Sequence, residues 1–256
     1  MTAGAVRSAL ASARATVQIE PAQRQGSGGR VPMIEIVSAS RLSASEFAAK
    51  SALGLSLGRL AFDGRLKASL AFANRTGLPA IYNSRIVAPG GPEILVFVHD
   101  DVWIDDHFFA DRVIEGLQHF DLIGVAGNRR RVPGQPGWPF VDSNFTWDQQ
   151  ANLSGAVAHG AQPCGAVSPF GAAPAACELL DGVLLAARKS LLVARRVLFD
   201  PRFDFHFYDL DFCRTARQAG LRLGTWPLSI THQSGGAFGG DRWSEMYQAY
   251  LAKWGD

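Results

Sequence analysis

The sequence predicts an α/β domain built on a layered sheet flanked by helices, and three observations carry that reading. Apolar stretches of strand length alternate with stretches of helical spacing along most of the chain. Within them, "EILVFV" (Glu93 to Val98) is a continuous apolar run, which suits a strand covered on both faces. The chain's 256 residues, 47% hydrophobic and 19% charged with a mean hydropathy of +0.03, suffice for one sizeable core.

Charge and cysteine content narrow the function classes. A formal charge of +2 gives no reason to expect nucleic acid or an anionic membrane as partner. Cys164, Cys177 and Cys213 are odd in number and lack CxxC spacing, so a disulfide framework or zinc cluster is not expected. A reducing, cytoplasmic setting follows. No apolar run approaches the roughly 20 residues that span a bilayer. Residues 1–30 are rich in Ala, Ser and Arg and end in Gly-Ser-Gly-Gly. That composition reads as a disordered tail or a transit peptide, the tail being favoured, and residues 31–256 as a single domain.

From there the elements follow in order. "MIEIVSAS" is a short strand, and "SASE" (Ser43 to Glu46) has the spacing of a helix-opening capping box. The helix is expected to run through "FAAKSALGLSL", weakened by its inner glycine. "GLPAIYNSRIVAPGG" is a helix opened by Pro79 and stopped at Pro89. After the apolar run, "DHFFADRVIEGLQHF" has helical spacing and "DLIGVAG" reads as another buried strand. Between about 129 and 176 Gly, Pro and polar residues break the regularity, as in a binding loop, a lid or disorder. The three arginines that open it read as a solvated run. Regular structure resumes with "CELLDGVLLAARKSLL" and with "FHFYDLDFCRTARQAG", capped by Gly220. "LRLGTW", "LSITHQSGG" and the amphipathic "RWSEMYQAYLAKW" close the chain.

One junction needs more than a folding explanation. "VFVHDDV" runs a buried strand straight into His99, Asp100 and Asp101. Ionised groups resist leaving water unless paired, so these residues either cap a turn or face a cation. Ligands of open α/β sheets bind beyond the carboxyl ends of strands, where this triplet lies. A second acidic pair, Asp209 and Asp211 in "FYDLDF", falls in the first turn of a helix. Two residues apart there means about 200° around the axis, so both cannot face one substrate.

The order "VFVHDDV", "LDGVLLAARKSL", "FHFYDLDFCRTARQAGLRLG", "THQSGG" resembles glycosyltransferase family 2 of the GT-A fold. It is most similar to the subgroup of streptomycin-biosynthesis-type proteins, with the resemblance running from Met33 to the C-terminus. The implied fold is a Rossmann-like layered mixed sheet flanked by helices. The implied activity is inverting, metal-dependent transfer of a sugar from a nucleoside-diphosphate donor to a hydroxyl of a glycan, polypeptide or small molecule. By that resemblance Asp101 and His232 hold Mn2+ or Mg2+, His99 joins them or meets the ribose, and Asp100 contacts donor ribose or a metal-bound water. Asp209 becomes the base and Asp211 a first-turn carboxylate complementing the helix dipole. Asp181 borders the acceptor pocket, and Tyr208 and His206 are placed with the substrate contacts, His206 also reading as a core histidine. Ser38, Ser40, Arg41 and Asn83 fall at the nucleotide, with Asn74 and Arg75 as weaker candidates. Gly235 and Gly236 permit loop closure over the diphosphate. Phe72, Trp103, Trp138, Phe145 and Trp147 could stack on sugar or base, or belong to the core.

Two other readings stand beside this one. A module of the same fold could bind nucleotide sugar or glycan without turnover. His99 and Asp100 also suggest a His-Asp metal phosphohydrolase, although those sites are built on helices. Gly-x-Gly-x-x-Gly and Walker loops are both missing, which removes the usual dinucleotide and phosphate-loop readings.

Overall fold

The computed structural model describes residues 31–236 and 238–255, so the expected N-terminal tail lies outside the described residues. The unit that begins at Pro32 opens with β1 (Ile34–Ala39), α1 (Ala44–Lys50), α2 (Ala52–Arg59), β2 (Leu66–Ala71), α3 (Leu78–Val87) and β3 (Ile94–Val98). Next come β4 (Val102–Ile104), α4 (Phe109–His119), β5 (Leu122–Gly124), β6 (Ala126–Asn128), β7 (Leu153–His159), β8 (Ala166–Gly171) and β9 (Ala175–Cys177). The chain closes with β10 (Leu179–Leu180), β11 (Leu184–Arg188), α5 (Lys189–Arg195), α6 (Tyr208–Gln218), β12 (Leu223–Thr225), β13 (Ile230–His232) and α7 (Asp241–Trp254).

Two mixed sheets result. The first runs β2-β1-β3-β11-β5-β12-β9, parallel at β1/β2, β1/β3 and β5/β12 and antiparallel elsewhere. The second runs β10-β6-β7-β13-β4, with β8 added beside β7. Every residue of β3 is buried, as its unbroken apolar run requires. Its Phe97 packs ring against ring with Tyr82, Phe199 and Phe212.

Several expectations need correction. The Ser43–Glu46 capping box is present, but the helix it opens stops early. Ser51 takes an extended conformation, ends α1 and caps α2 through its hydroxyl, so one expected helix is two. "DLIGVAG" also divides: β5 joins the first sheet and β6 the second, with Val125 as the step between. The Gly/Pro-rich segment carries β7, β8 and β9: β7 and β9 pair with β13 and β12 far along the chain, and β8 pairs with its neighbour β7. Its arginines are exposed or half-exposed, and Arg130 in addition makes two hydrogen bonds of 2.8 and 2.5 Å to the buried Asp148. Burial disfavours the Asp148 charge, yet the hydrogen bonds from Arg130 outweigh it and hold the carboxyl well below its usual range. Strands β2 and β4 had no sequence signal: β2 is a half-exposed edge, and β4 has three residues. Among the described residues no helix is long and apolar enough to cross a membrane.

Candidate functional site

His99, Asp100 and Asp101 occupy the crossover from β3 in the first sheet to β4 in the second. That is the local reason for polar residues at the end of a buried strand: the chain leaves one sheet before entering the other. The His99 amide donates to Val183 O at 3.2 Å, and Asp101 O accepts from the Gln233 amide at 3.0 Å. Strand β13 pairs with β4, His232 opposite Val102, which brings the late histidine to the crossover. Single donor atoms of His99, Asp101 and His232 all lie within 4.8 Å of one another. His232 Nε2 is 3.2 Å from Asp101 Oδ1 and 3.1 Å from Ser234 Oγ.

Electrostatics tie the cluster together. Burial alone would raise the Asp101 carboxyl, but the hydrogen bond and charge of His232 outweigh it and hold it at about 2. For His232, burial disfavours the charge, yet Asp101 raises its pKa above the ordinary imidazole value. Burial pushes His99 the other way, towards the neutral form. Two imidazoles and one carboxylate fit a divalent transition ion, leaving room for outside oxygen ligands.

Tyr208, at the start of α6, fixes the state of His99. Its hydroxyl donates to Gly182 O at 2.7 Å and lies 2.8 Å from His99 Nε2. A phenol has one proton to give, and a carbonyl can only accept. Nε2 of His99 therefore carries the hydrogen, and its free lone pair is on Nδ1. The Tyr208 hydroxyl is thus engaged by the protein on both sides, while the residue still lines the cavity it shares with Asp209.

One residue on, Asp209 accepts a hydrogen bond from the Gly182 amide at 3.0 Å. Burial, and then the neighbouring Asp181 charge, push its carboxyl up to about 7, so it can exchange a proton near neutral pH. Asp181 is itself held by Trp138 Nε1 at 2.7 Å and the Val183 amide at 2.8 Å. Asp211 faces the other way, as the helix period requires. Its Oδ1 is 2.6 Å from Lys253 Nζ and accepts from Trp254 Nε1 at 2.9 Å, a buried pairing with α7 beyond the expected dipole role. Phe207, the residue just before α6, has a positive φ of 64°. Its ring is held by Trp243, Tyr247 and Tyr250 of α7, which over-determine this strained residue beside Asp209.

Two cavities meet at Phe205 and His206, which line both. One, of about 660 Å³, collects Ser40, Arg41, Asn74, Arg75 and Asp100. The other, of about 570 Å³, collects His99, His232, Asp181, Tyr208 and Asp209. His206 is thus a wall residue and not a core histidine. Asn83 needs correction as a nucleotide contact: its side chain donates to Phe199 O at 2.7 Å and accepts from the Phe199 amide at 2.9 Å, clipping α3 to a loop. Ser38 is fully buried and lines neither cavity. Trp103 is core, Phe72 packs edge-on against Phe47, and Trp147 lies open on the second cavity. Sequence reading missed His159, opposite His232 in the β7/β13 pairing, and Gly182, the hub between Tyr208 and Asp209. A glycine directly after Asp181 was the one signal that could have found the latter.

The catalytic domain of Drosophila β1,4-galactosyltransferase 7, solved with xylobiose, aligns with a TM-score of 0.50 at 9% identity. The alignment covers 85% of this chain and 80% of that one. The fold is GT-A. GalNAc-T7 with UDP, GalNAc and Mn2+ gives a TM-score of 0.49 at 11% identity over 88% of this chain. The mannosyltransferase PcManGT of Pyrobaculum calidifontis with GDP-Man and Mn2+ gives 0.45 at 14% identity over 88% of this chain, 64% of its own. This GT-A chain spans about half, 48%, of the GalNAc-T7 chain. Neither a protein-family profile nor a curated protein matches the sequence.

Proposed function

We propose that this GT-A protein is a metal-dependent, inverting glycosyltransferase that moves a sugar from a nucleoside-diphosphate donor to an acceptor hydroxyl. One observation carries the reading: a carboxyl raised to about 7, Asp209, shares a cavity with two members of the His99–Asp101–His232 cluster. A structural neighbour that is a galactosyltransferase supports transfer as the reaction class. The motif order resembles that of family 2 and its streptomycin-biosynthesis-type subgroup, which supports the same reading. The residue set and three free cysteines fit a cytoplasmic enzyme.

His99 through Nδ1, Asp101 and His232 would hold the ion, with Mn2+ preferred over Mg2+ because two of the three donors are nitrogens. When bound, the ion supplies Lewis-acid stabilisation of charge on the departing diphosphate. Arg41, Arg75 and Asp100 line the cavity in which the nucleotide fits, and Ser40 closes its floor. Asp209 accepts the proton of the acceptor hydroxyl, its pKa matched to work at neutral pH. Attack from the Asp209 side, opposite the leaving group, inverts the anomeric centre. Gly235 and Gly236 beside His232 serve closure over the donor.

The test is incubation with Mn2+ and a panel of nucleotide sugars, reading nucleoside diphosphate release and the anomeric configuration of the product by NMR. Inverted product lost in Asp209→Asn supports the reading. Donor binding without any release in the presence of acceptors leaves the binding module. Release of inorganic phosphate in place of a sugar product leaves the phosphohydrolase.

A further inference from the structure

The two cavities differ sharply in charge. Arg41, Arg75 and Arg242 line the first; Arg242 is held by Asp204 at 2.8 Å, while among the described residues no ion pair holds Arg41 or Arg75. The second has no Lys or Arg on its described wall; its titratable lining is Asp181 and Asp209 with four imidazoles, of which His99 and His232 belong to the metal cluster and His159 and His206 lie outside it. A phosphate or carboxylate entering it would meet two carboxyl groups with no arginine to pair them.

What the second cavity offers instead is flat apolar surface with spaced acceptors. Trp147, 55% exposed, stacks at 16° on Phe170 with ring centroids 6.0 Å apart. The pair is not a floppy lid. Phe140 bridges to Trp147 by backbone pairing, and Asp148 next door accepts from Arg130, from Asn128 at 3.0 Å and from Asn152 at 2.8 Å. Each Asp181 oxygen takes one protein donor and keeps a lone pair for another. A pyranose matches this wall: its C–H face covers an aromatic ring while its rim hydroxyls donate to carboxylates.

We propose that the acceptor is a carbohydrate free of phosphate and carboxylate groups, with a sugar face on Trp147 and Phe170 and one hydroxyl directed to Asp209. This rests on the transferase reading, because it takes the second cavity as the acceptor side. It excludes lipid phosphates and sugar phosphates as acceptors.

The experiment measures binding of the full chain to a broad glycan array and, by saturation-transfer NMR, to xylobiose, cellobiose, glucose 6-phosphate, galacturonic acid and farnesyl phosphate. Neutral glycans are expected to bind at least tenfold tighter than the anionic probes, and Trp147→Ala or Phe170→Ala to lose that binding, with the melting temperature confirming folded variants. Equal or tighter binding of an anionic probe, neutral binding indifferent to both variants, or no neutral glycan bound at all would each overturn the proposal. Mn2+-dependent donor hydrolysis, read in the same samples without acceptor, reports the transferase reading separately. Hydrolysis without neutral-glycan binding removes only the acceptor class. Glycan binding without hydrolysis removes the transferase.

Discussion

The hydroxyl of Tyr208 lies 2.8 Å from Nε2 of His99 and spends its only proton on Gly182 O. A side chain that touches no reacting atom thereby selects the histidine nitrogen left for an ion. Tyr208→Phe keeps the ring and removes that selection. Mn2+ affinity measured by calorimetry or EPR is expected to fall by roughly 10- to 100-fold, the range for lost outer-shell partners. Histidine 15N shifts should show the His99 tautomers mixing. Unchanged affinity with unchanged shifts would make Tyr208 a packing residue.

Asp209→Asn should lower transfer by roughly 10²- to 10⁴-fold while leaving nucleotide and Mn2+ binding intact. In the wild type, transfer should rise as pH passes through about 7, because the base acts deprotonated. The folded pKa lies above the unfolded value. The associated stability is thus full at low pH and lost as pH rises through about 7. Removing the ionisable group should therefore raise the melting temperature at pH 8 and change little at pH 5. A flat pH–rate profile would remove Asp209 as base.

Gly182→Ala tests the hub between these two residues. An added Cβ would come within contact of the Tyr208 hydroxyl and 2.7 Å from Asp209 Cβ. We expect a loss of about 1–3 kcal/mol of stability by denaturant titration, the usual cost of overpacking. Mn2+ affinity and transfer should fall together, unlike in Asp209→Asn.

Metal uptake should depend on pH through His232, whose pKa Asp101 raises. The proton on His232 competes with the ion, so affinity should drop as pH falls and uptake at neutral pH should release protons. Titrations in buffers of different ionisation enthalpy read that release. Asp101→Ala should abolish both the release and Mn2+-dependent donor binding.

Lys253→Met separates the two aspartates of α6. It strips the buried Asp211 of a partner at 2.6 Å, and stability should fall by about 3 kcal/mol. Mn2+ affinity of the folded protein should stay put. A change in affinity would mean that Asp211 also communicates with the cluster.

Legibility in the sequence followed how local each cause was. Strand β3 and its acidic tip were readable because five apolar residues run without interruption. The opposition of Asp209 and Asp211 was readable from the helix period alone. Asn83 was misplaced because its partner, Phe199, lies 116 residues away. Strands β7 and β9 were hidden for the same reason: Gly, Ala and Pro give little strand signal, and pairing with β6, β12 and β13 supplies it, after which β8 pairs with β7. The engagement of the Tyr208 hydroxyl on both sides was not readable, because order along the chain cannot show partners brought in by the fold.

The placement of the donors on two sheets has a mechanical consequence. His99 directly follows a strand of one layer, and His232 ends a strand of the other. An ion gripped by both acts as a rivet through two plates, so its loss would free the β4–β13 plate to slip against β3. Backbone amide exchange around Val102 and Thr231 is where that loosening would first be felt.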